Sequence, residues 1–409
     1  MSAAMNNQEK QPKQTAQSQR YHRRLSSILN LHDFEKAAKR HLPHSIFSYI
    51  ANNAEDGRTA RSNSMSFDTF EFVPRTLVNV TNISQKTTIL GETCEAPFGI
   101  APMGLAALSA YRGDLVLASG AEQSGIPMIM SGSSLIRMET LAQQSPTAWF
   151  QAYLPAGREA IHSLVERVRK AGFHNLVITV DVPVATNPDN NRRAGFSSPL
   201  RPSIKLAWDG MSHPRWLFST FLRTLVTHGM PYFENNYATH GAPIFSASVN
   251  RDISDRGGLD WDDLAYIRDL WPGNLILKGI LSVQDTSRAC KIGVDALIVS
   301  NHGGRQLDGA VSPLTVLPRI VDAAGKVPVM IDSGFRRGTD VLKALALGAS
   351  FVFIGRPFGY AAAVAGEDGV RHAASLMRNE IARNMALLGI TDLQQLNSDF
   401  LHNKRSQSC

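Results

Sequence analysis

Eight short apolar runs recur along this chain, and each is followed by a segment with helical periodicity. The helical segments include Arg158–Ala171 and Asp340–Leu347. Eight β/α units in series predict an α/β protein built as a (β/α)8 TIM barrel, with a doubly wound open sheet as the alternative. The eight runs are Phe98–Pro102, Pro127–Met130, Ala148–Tyr153, Leu176–Val182, Leu275–Ile280, Ala296–Asn301, Pro328–Ser333 and Phe351–Gly355.

Polar residues stand at the C-terminal ends of nearly all of these runs. A lone residue of this kind is more often a surface charge or a satisfied core group than a functional one. In a closed barrel, however, all strand ends converge on one rim, where barrel enzymes keep their active sites. The convergence therefore favours the barrel and predicts a functional site. The residues are Ser131, Gln151, Tyr153, Thr179, Asp181, Lys278, His302, Arg305, Asp332, Arg336, Gly355 and Arg356.

The composition suits one large domain with a tail at each end. A chain of 409 residues with 43% hydrophobic content can bury a large core. Residues 1–30 begin with a polar stretch that lacks the apolar segment of a signal peptide, and we expect them to be disordered. Helical patterns from Leu31 to about Phe70, the second opened by Pro43, predict an N-terminal helical cap. We therefore expect one domain over residues 31–390 and a C-terminal tail over 391–409.

One connection is far too long for an ordinary barrel loop. About 90 residues separate Val182 from Leu275, where roughly 2–6 are usual. An insertion over about 194–250 accounts for this length, and within it Phe196–His240 mixes aromatic residues with arginine and lysine. Such a mixture is typical of an interfacial membrane segment. A lid or subunit-contact loop whose aromatic residues simply pack is an equal alternative at this point.

The charge and the cysteines limit the partners. The net charge is +7 and the pI about 9.4, but no nucleic-acid motif accompanies the charge, so we do not expect nucleic acid as a partner. No apolar run reaches the roughly 18 residues that span a bilayer. Cys94, Cys290 and Cys409 show no metal-binding spacing, so no metal is expected, and they suggest a reducing compartment. We therefore expect a cytoplasmic protein.

The segment Ser300–Asp308 concentrates the chemistry. It follows the apolar run Ala296–Val299, so its residues lie just past a buried parallel strand. His302 can take up a proton near neutral pH, and Arg305 can hold a carboxylate through two parallel hydrogen bonds. The two glycines between them would let the backbone approach a flat ligand. This segment therefore offers a base, an anion clamp and room for a cofactor.

The last two predicted strands are followed by a candidate phosphate site. Gly334 with Arg336, and Gly355 with Arg356, combine backbone N–H groups with guanidinium groups, and barrels often bind phosphate at this place. Ordinary glycine turns with exposed arginines are the less favoured alternative. Lys278, at the end of the fifth strand, would suit a delocalised anion such as the edge of a reduced flavin.

Three segments in this order on an eightfold β/α pattern, Ser300–Asp308, Asp332–Gly338 and Gly355-Arg356, resemble the FMN-dependent 2-hydroxy-acid dehydrogenases and oxidases. The resemblance extends from about Leu31 to Ile390. It implies an enzyme that binds FMN and oxidises an L-2-hydroxy acid, lactate-like or bulkier, to the 2-oxo acid. The electrons would pass to a quinone or another carrier. The membrane-bound members of the family carry a long segment after strand four, as this chain does, which favours peripheral contact with the inner face of the cytoplasmic membrane. A homo-oligomer is also expected.

The resemblance further implies a role for each matching residue. His302 would take the substrate proton, Asp181 would stabilise its protonated form, and Tyr153 would hydrogen-bond the substrate oxygen. Tyr49 and Arg305 would bind the substrate carboxylate. The other matches would hold FMN: Ser131, Gln151, Thr179 and Lys278 at the ring, Pro102, Met103 and Gly104 near its N5, Asp332, Gly334, Arg336, Gly355 and Arg356 at the ribityl chain and phosphate, and Ser300 as a further contact.

Some positions depart from the family pattern. Pro188 stands where the family carries a second arginine for the substrate carboxylate, and proline offers neither a charge nor a backbone N–H. The substrate is therefore expected to be bulkier, less anionic or more weakly bound, unless Arg192 is redirected into the site. Gly104 stands where the oxidases usually carry alanine, which favours a dehydrogenase over an oxygen-using oxidase. A flavoprotein that has lost hydroxy-acid turnover is the remaining alternative, and Pro188 is its only support.

Overall fold

The computed structural model describes residues 25–239, 241–246 and 254–404, and it confirms the predicted barrel. Short strands follow one another through this part of the chain, most of them separated by helices. Numbered in chain order, the strands are β1 (Phe70–Phe72), β2 (Thr87–Ile89), β3 (Glu92–Cys94), β4 (Phe98–Ile100), β5 (Ile129–Ser131), β6 (Trp149–Ala152), β7 (Asn175–Thr179), β8 (Asn274–Ile280), β9 (Ala296–Val299), β10 (Val329–Ile331), β11 (Phe351–Ile354) and β12 (Leu401–Asn403).

Strands β4 to β11 form one parallel sheet that closes on itself. The sheet order is β4-β11-β10-β9-β8-β7-β6-β5. A parallel bridge between Ile100 and Met128 joins its two ends, and the Ile100 amide donates to the Pro127 carbonyl at 2.9 Å. This closure excludes the doubly wound open sheet. Each predicted apolar run overlaps one of these strands. Ser131, Gln151, Thr179 and Lys278 still pair within the ladder, near its C-terminal edge, and the other polar residues follow the strand ends.

The barrel has an apolar interior and an apolar outer layer. Trp149, Ile276, Ile298, Met330 and Phe353 are buried inside it, and the opposite strand faces pack on the surrounding helices. Because both faces are covered, the strands are apolar throughout rather than alternating. The outer helices are Ala106–Ser109, Gly113–Gln123, Met138–Gln144, Arg158–Lys170, Trp261–Leu270, Val283–Ile292, Pro313–Ala324, Gly338–Ala346 and Arg356–Leu388.

A hairpin that the sequence analysis did not predict covers the N-terminal end of the barrel. Strands β2 and β3 pair antiparallel, and Ile89 and Cys94 join the interior core. The Glu92 carboxylate accepts hydrogen bonds from Trp149 Nε1 at 3.4 Å and Asn175 Nδ2 at 2.9 Å, at the starts of β6 and β7. The functional rim therefore lies at the other end.

The N-terminal helices cover that rim, as predicted. They span Leu31–His41, His44–Ala51 and Arg58–Met65, and Pro43 immediately precedes the second. Asn63 and Asn301 exchange side-chain hydrogen bonds of 2.8 and 2.7 Å, which fix the third helix to the loop after β9. This contact holds the cap against the segment that contains His302.

The folded part of the chain reaches beyond the bounds that we predicted from sequence. Leu25 and Ile28, assigned to a disordered tail, are buried in the core. At the other end β12 pairs antiparallel with β1, and Phe400 is buried. The prediction of a C-terminal tail over 391–409 is therefore wrong for residues 391–404, which belong to the folded domain. Both contacts join segments far apart in sequence, which local patterns do not reveal. Residues 1–24 and 405–409 lie outside the described residues.

The insertion after β7 is largely helical. Its helices are Asp189–Ala194, Ile204–Met211, Pro214–Trp216, a π-helical stretch Leu217–Leu222, and Arg223–His228. Phe196 and Trp216 are buried, whereas Trp208 and Phe218 are exposed. Within the described residues, every helix is too short or too polar to cross a bilayer. His240 and residues 247–250, which belong to the predicted insertion, lie outside the described part of the chain, as do residues 251–253.

Candidate active site

A cavity of about 440 Å³ opens at the C-terminal rim of the barrel. Most of the predicted site residues line it: Tyr49, Pro102, Met103, Gly104, Tyr153, Thr179, Lys278, His302, Arg305, Asp332, Gly334, Arg336, Gly355 and Arg356. Four others, Ser131, Gln151, Asp181 and Ser300, are not in the lining. Ser131, Asp181 and Ser300 hydrogen-bond to residues that line the cavity, and Gln151 hydrogen-bonds to Ser131. The structure thus brings the polar strand ends together around one cavity, whose size is typical of a small-molecule site.

His302 lies between a carboxylate and a phenol. Its Nδ1 is 2.9 Å from Asp181 Oδ1, and its Nε2 is 3.4 Å from the Tyr153 hydroxyl. Because a carboxylate only accepts hydrogen bonds, Nδ1 carries the hydrogen and Nε2 of the neutral ring has its lone pair toward the cavity. His302 has a φ of 59°, and strained backbone of this kind concentrates at functional sites.

The surroundings shift the pKa values of Asp181 and Tyr153. Burial alone would raise the pKa of Asp181, but His302 and Lys278 hold the pKa below its ordinary value. Asp181 therefore stays ionised beside the imidazole. Burial raises the pKa of Tyr153, and the Arg256 guanidinium opposes that rise only in part. Tyr153 accordingly remains a neutral phenol that can donate a hydrogen bond.

Lys278 is buried at the end of β8 and keeps its charge. Its Nζ is 2.8 Å from Asp332 Oδ2 and donates to Ser300 Oγ at 2.7 Å. Burial alone would lower the pKa of this lysine, but the carboxylates of Asp332 and Asp181 raise it above its ordinary value. Ser300 Oγ in turn accepts from the His302 amide at 3.0 Å. The lysine is thereby connected to the loop that contains His302.

Several buried polar atoms at this site lack hydrogen-bond partners among the described residues. Gln151 Nε2 and Thr179 Oγ1 are two of them. The Ser131 hydroxyl fixes the Gln151 amide by donating to its Oε1 at 3.2 Å. Buried polar groups in proteins are nearly always paired, so these atoms are suited to a polar ligand. An amide donor, a hydroxyl and the Lys278 cation fit the polar edge of a planar ring such as that of FMN.

Three arginines crowd the other side of the cavity. Arg356 donates to the carbonyls of Ile50, Asn52 and Gly303, and burial together with Arg305 and Arg336 lowers its pKa to about 9. A long helix begins at Arg356, so its first N–H groups point toward this region. Crowded cations at a helix N-terminus suit a phosphate, and together with the ring-edge donors they fit FMN.

Gly334 has a structural role that the sequence analysis did not foresee. Its φ is +95°, and a Cβ added there would lie 2.8 Å from the Asn63 carbonyl oxygen. Both the positive φ and the close approach of the N-terminal cap to the loop after β10 require glycine at this position, independently of any ligand in the cavity. Arg336 Nη1 donates to the adjacent Phe335 carbonyl and its side chain lines the cavity.

Arg256 also lines the cavity, and sequence reasoning missed it. Its guanidinium lies 4.3 Å from the centroid of the Tyr153 ring. Arg192, which we had considered for this part of the site, is exposed and is not among the residues that line the cavity, whereas Pro188 is. No local signal could have identified Arg256, because it lies in the long connection between β7 and β8, whose folding cannot be derived from its sequence pattern.

The insertion is also tied to the cap. Asp209, in the Ile204–Met211 helix, accepts hydrogen bonds of 2.8 Å from the backbone amides of both His44 and Ser45. These amides begin the His44–Ala51 helix, where a negative charge is favourable. The same helix contains Tyr49, whose hydroxyl donates to the Gly104 carbonyl at 3.3 Å. The insertion therefore helps to position one wall of the cavity.

Comparison with known proteins agrees with the predicted resemblance. The family model for FMN-dependent dehydrogenases matches residues 38–403. (S)-mandelate dehydrogenase of Pseudomonas putida is 38% identical over 381 residues, covering 92% of this chain and 95% of that protein. L-lactate oxidase of Nostoc sp. is 39% identical over 386 residues, covering 92% and 99%. L-lactate dehydrogenase of Ectopseudomonas mendocina is 36% identical over 382 residues, covering 91% and 98%.

The fold is shared as well. The crystal structure of the monotopic membrane protein (S)-mandelate dehydrogenase has a TM-score of 0.83 and 36% sequence identity, covering 92% of this chain and 100% of that one. The family match and these relatives extend over nearly all of the described barrel. This chain therefore belongs to the FMN-dependent dehydrogenase family.

Proposed function

We propose that this protein oxidises an L-2-hydroxy acid to the 2-oxo acid, with FMN as cofactor and His302 as the base. The observation that carries the proposal is the hydrogen bond of 2.9 Å between His302 Nδ1 and Asp181, which leaves Nε2 facing a cavity that also contains Tyr153 and Arg305. A base, a hydroxyl-binding phenol and a carboxylate-binding cation are the groups that a 2-hydroxy acid needs.

Each of these residues has a distinct task. Arg305 binds the substrate carboxylate, and Tyr153 hydrogen-bonds the oxygen on C2. His302 Nε2 takes up one proton from the substrate, and the ionised Asp181 stabilises the resulting imidazolium. FMN, when bound, supplies the acceptor for the two electrons of the substrate C2–H bond.

The residues that would hold FMN divide into two groups. Gln151, Thr179 and Lys278 would contact the ring, where Lys278 favours negative charge because it stays protonated despite burial. Arg336 and the helix N-terminus at Arg356 would hold the phosphate. The remaining predicted contacts are Pro102, Met103, Gly104, Ser131, Ser300, Asp332, Gly334 and Gly355.

Gly104 favours a quinone or another carrier, rather than oxygen, as the electron acceptor. A Cβ at this position would lie 3.0 Å from both the Tyr49 hydroxyl and Ser133 Cβ, so alanine would crowd this wall. The relatives include both an L-lactate oxidase and L-lactate dehydrogenases, so identity alone does not choose between the two acceptors. With glycine at position 104, we expect the enzyme to consume oxygen slowly compared with its reduction of a soluble quinone.

The exposed apolar side of the insertion supports peripheral contact with a membrane. Ile204, Trp208, Phe218 and Val226 are between 66 and 91% exposed, and basic residues such as Lys205 and Arg215 lie among them. The related (S)-mandelate dehydrogenase is a monotopic membrane protein. A membrane-bound quinone would then be within reach, while a homo-oligomer stays a prediction.

One experiment tests the proposed reaction directly. The FMN-loaded protein is mixed without oxygen with a panel of L-2-hydroxy acids, including lactate, glycolate and mandelate, and the absorption of the flavin is followed. Bleaching with at least one acid, and formation of its 2-oxo acid, is expected. If none of them bleaches a protein that holds FMN stoichiometrically, the alternative of a flavoprotein without hydroxy-acid turnover replaces this proposal.

A further inference from the structure

Arg256 reaches the cavity from a short turn that follows the insertion. The turn is the 3-10 helix Ser254–Gly258, which directly precedes the Trp261–Leu270 helix. It lies close to the loop after β7, since a Cβ added at Gly257 would be 3.5 Å from the Pro183 carbonyl oxygen. That loop also contains Asp181, so the position of Arg256 is set relative to the base and its carboxylate.

The guanidinium of Arg256 stacks on a residue of the reaction site. It lies 4.3 Å from the centroid of the Tyr153 ring, and the hydroxyl of that tyrosine is 3.4 Å from His302 Nε2. A guanidinium that stacks on an aromatic ring keeps its N–H donors along its edges, where they can contact an anion. Arg256 is half-buried and lines the same cavity as His302, so the stacked group adjoins the reacting atoms.

A second arginine is arranged in the same way. Arg305 lies 5.1 Å from the centroid of the Tyr49 ring, and its Nη1 donates to the carbonyls of Tyr49 and Ile50. The cavity is therefore lined by two stacked tyrosine–arginine pairs that come from different parts of the chain. Two cations held beside one small cavity match the two oxygens of a carboxylate.

We infer that Arg256 binds the carboxylate of the substrate together with Arg305, and that it supplies the cation absent at Pro188. Pro188 lines the same cavity and can offer no donor. This inference deepens the proposed function and rests on it, since it names the residue that makes the site selective for an anionic hydroxy acid. Arg256 touches the substrate in this assignment and does not act through Tyr153 alone.

The test compares an anionic and a neutral ligand on the FMN-loaded protein. Oxalate and lactamide are titrated by calorimetry and by the shift in flavin absorption, for wild type, Arg256→Gln and Arg256→Lys. Loss of one charged hydrogen bond should weaken oxalate roughly tenfold to a hundredfold in Arg256→Gln. The oxalate affinity of Arg256→Lys should lie between those of wild type and Arg256→Gln, because the ammonium keeps the charge but cannot reproduce the planar fork of a guanidinium. Lactamide binding should change little.

Arg192→Gln is the matched control, because Arg192 is an exposed arginine of the same connection between β7 and β8 and lies outside the cavity lining. It should bind oxalate as wild type does. A second test introduces Pro188→Arg into the Arg256→Gln protein, which should recover part of the lost oxalate affinity. If Arg256→Gln holds FMN poorly, the effect of Pro188→Arg on oxalate affinity is measured in the Arg256→Lys protein instead.

Several results would overturn the inference. Unchanged oxalate affinity in Arg256→Gln is one, and a wild type that does not bind oxalate at all is another. Equal weakening of oxalate and lactamide binding would mean that Arg256 only packs on Tyr153. These outcomes are separate from failure of the proposed function. A wild type that binds oxalate through Arg256 but is reduced by none of the 2-hydroxy acids would contradict the reaction and leave the anion site supported.

Discussion

At the scale of single residues, the site is a chain of hydrogen bonds in which each group fixes the next. Asp181 holds Nδ1 of His302, Ser300 holds its backbone amide, and Lys278 holds Ser300. The strand ends could be recognised from sequence because β/α units place them on one rim. The pairing of Lys278 with Asp332 could not, because the sequence does not say which side chains at a rim come within 3 Å of each other.

Replacing the base should stop the reaction without displacing the cofactor. We expect His302→Gln to retain FMN and to lose roughly 10²-fold or more in the rate of flavin reduction, since a positioned base contributes about 10²–10⁴-fold. Anaerobic stopped-flow absorption measures this rate. His162→Gln, at an exposed histidine of the Arg158–Lys170 helix, is the control and should react normally. Near-normal reduction in His302→Gln would exclude this residue as the base.

Removing the buried lysine should affect both stability and cofactor binding. Lys278→Met leaves the Asp332 carboxylate buried without its cation, a change that typically costs about 3–5 kcal/mol. We expect a lower melting temperature in the FMN-free protein and weaker binding in an FMN titration.

The double variant Lys278→Met with Asp332→Asn separates the two effects. It should recover part of the stability, because the uncompensated charge is gone, but it should not recover the affinity for FMN. A double variant that binds FMN as tightly as wild type would show that Lys278 serves the fold and not the cofactor.

Among the secondary-structure elements, the sequence predicted the repeated barrel strands but not the contacts that occur only once, outside the repeat. The barrel strands are buried on both faces, so their apolar runs are visible without any knowledge of their partners. Strands β1 and β12 are three residues long and pair across most of the chain, and the pattern of each gives no sign of the other. The same applies to Asp209, whose link with the His44–Ala51 helix depends on how the insertion folds back.

The insertion gives a prediction that distinguishes membrane contact from a lid or subunit contact. Replacing Ile204, Trp208, Phe218 and Val226 by serine removes exposed apolar area without touching the cavity. We expect wild type to float with anionic liposomes at low salt and this variant to remain in solution, with FMN still bound.

The matched control replaces four apolar residues elsewhere, Leu29, Met65, Leu77 and Leu387, which are at least 65% exposed. If the control and the insertion variant both bind liposomes like wild type, the insertion is not the membrane-binding element. A wild type that ignores anionic liposomes would favour the lid or subunit contact instead.

At the scale of the whole molecule, one buried carboxyl group links stability to pH. Asp114, in the Gly113–Gln123 helix, is completely buried, and burial raises its pKa from 3.8 to about 7. From pH 3.8 to 7 the folded protein keeps this proton while the unfolded chain loses it, so the contribution of this group to stability falls as the pH rises. Above about pH 7 both forms are ionised and the loss is complete.

We therefore expect Asp114→Asn to gain stability relative to wild type as the pH is raised. Between pH 5 and 7 the difference in unfolding free energy should change by about 2 kcal/mol in favour of the variant. Chemical denaturation at a series of pH values measures it. Asp322→Asn, at an exposed carboxyl, should run parallel to wild type. Parallel curves for Asp114→Asn would show that Asp114 is already ionised in the folded protein.

The manner in which Arg305 and Arg356 are held has an evolutionary consequence. Most of their acceptors are backbone carbonyls of Tyr49, Ile50, Asn52 and Gly303, which every amino acid supplies. Substitutions at positions 50 and 52 keep these acceptors, provided that the helix end keeps its course, whereas Tyr49 and Asn53 also contribute their side chains. The cations are thus preorganised by chain geometry, at little entropic cost when a ligand arrives. Lineages derived from this protein could change substrate by mutating the cavity walls while inheriting the same anion-binding frame.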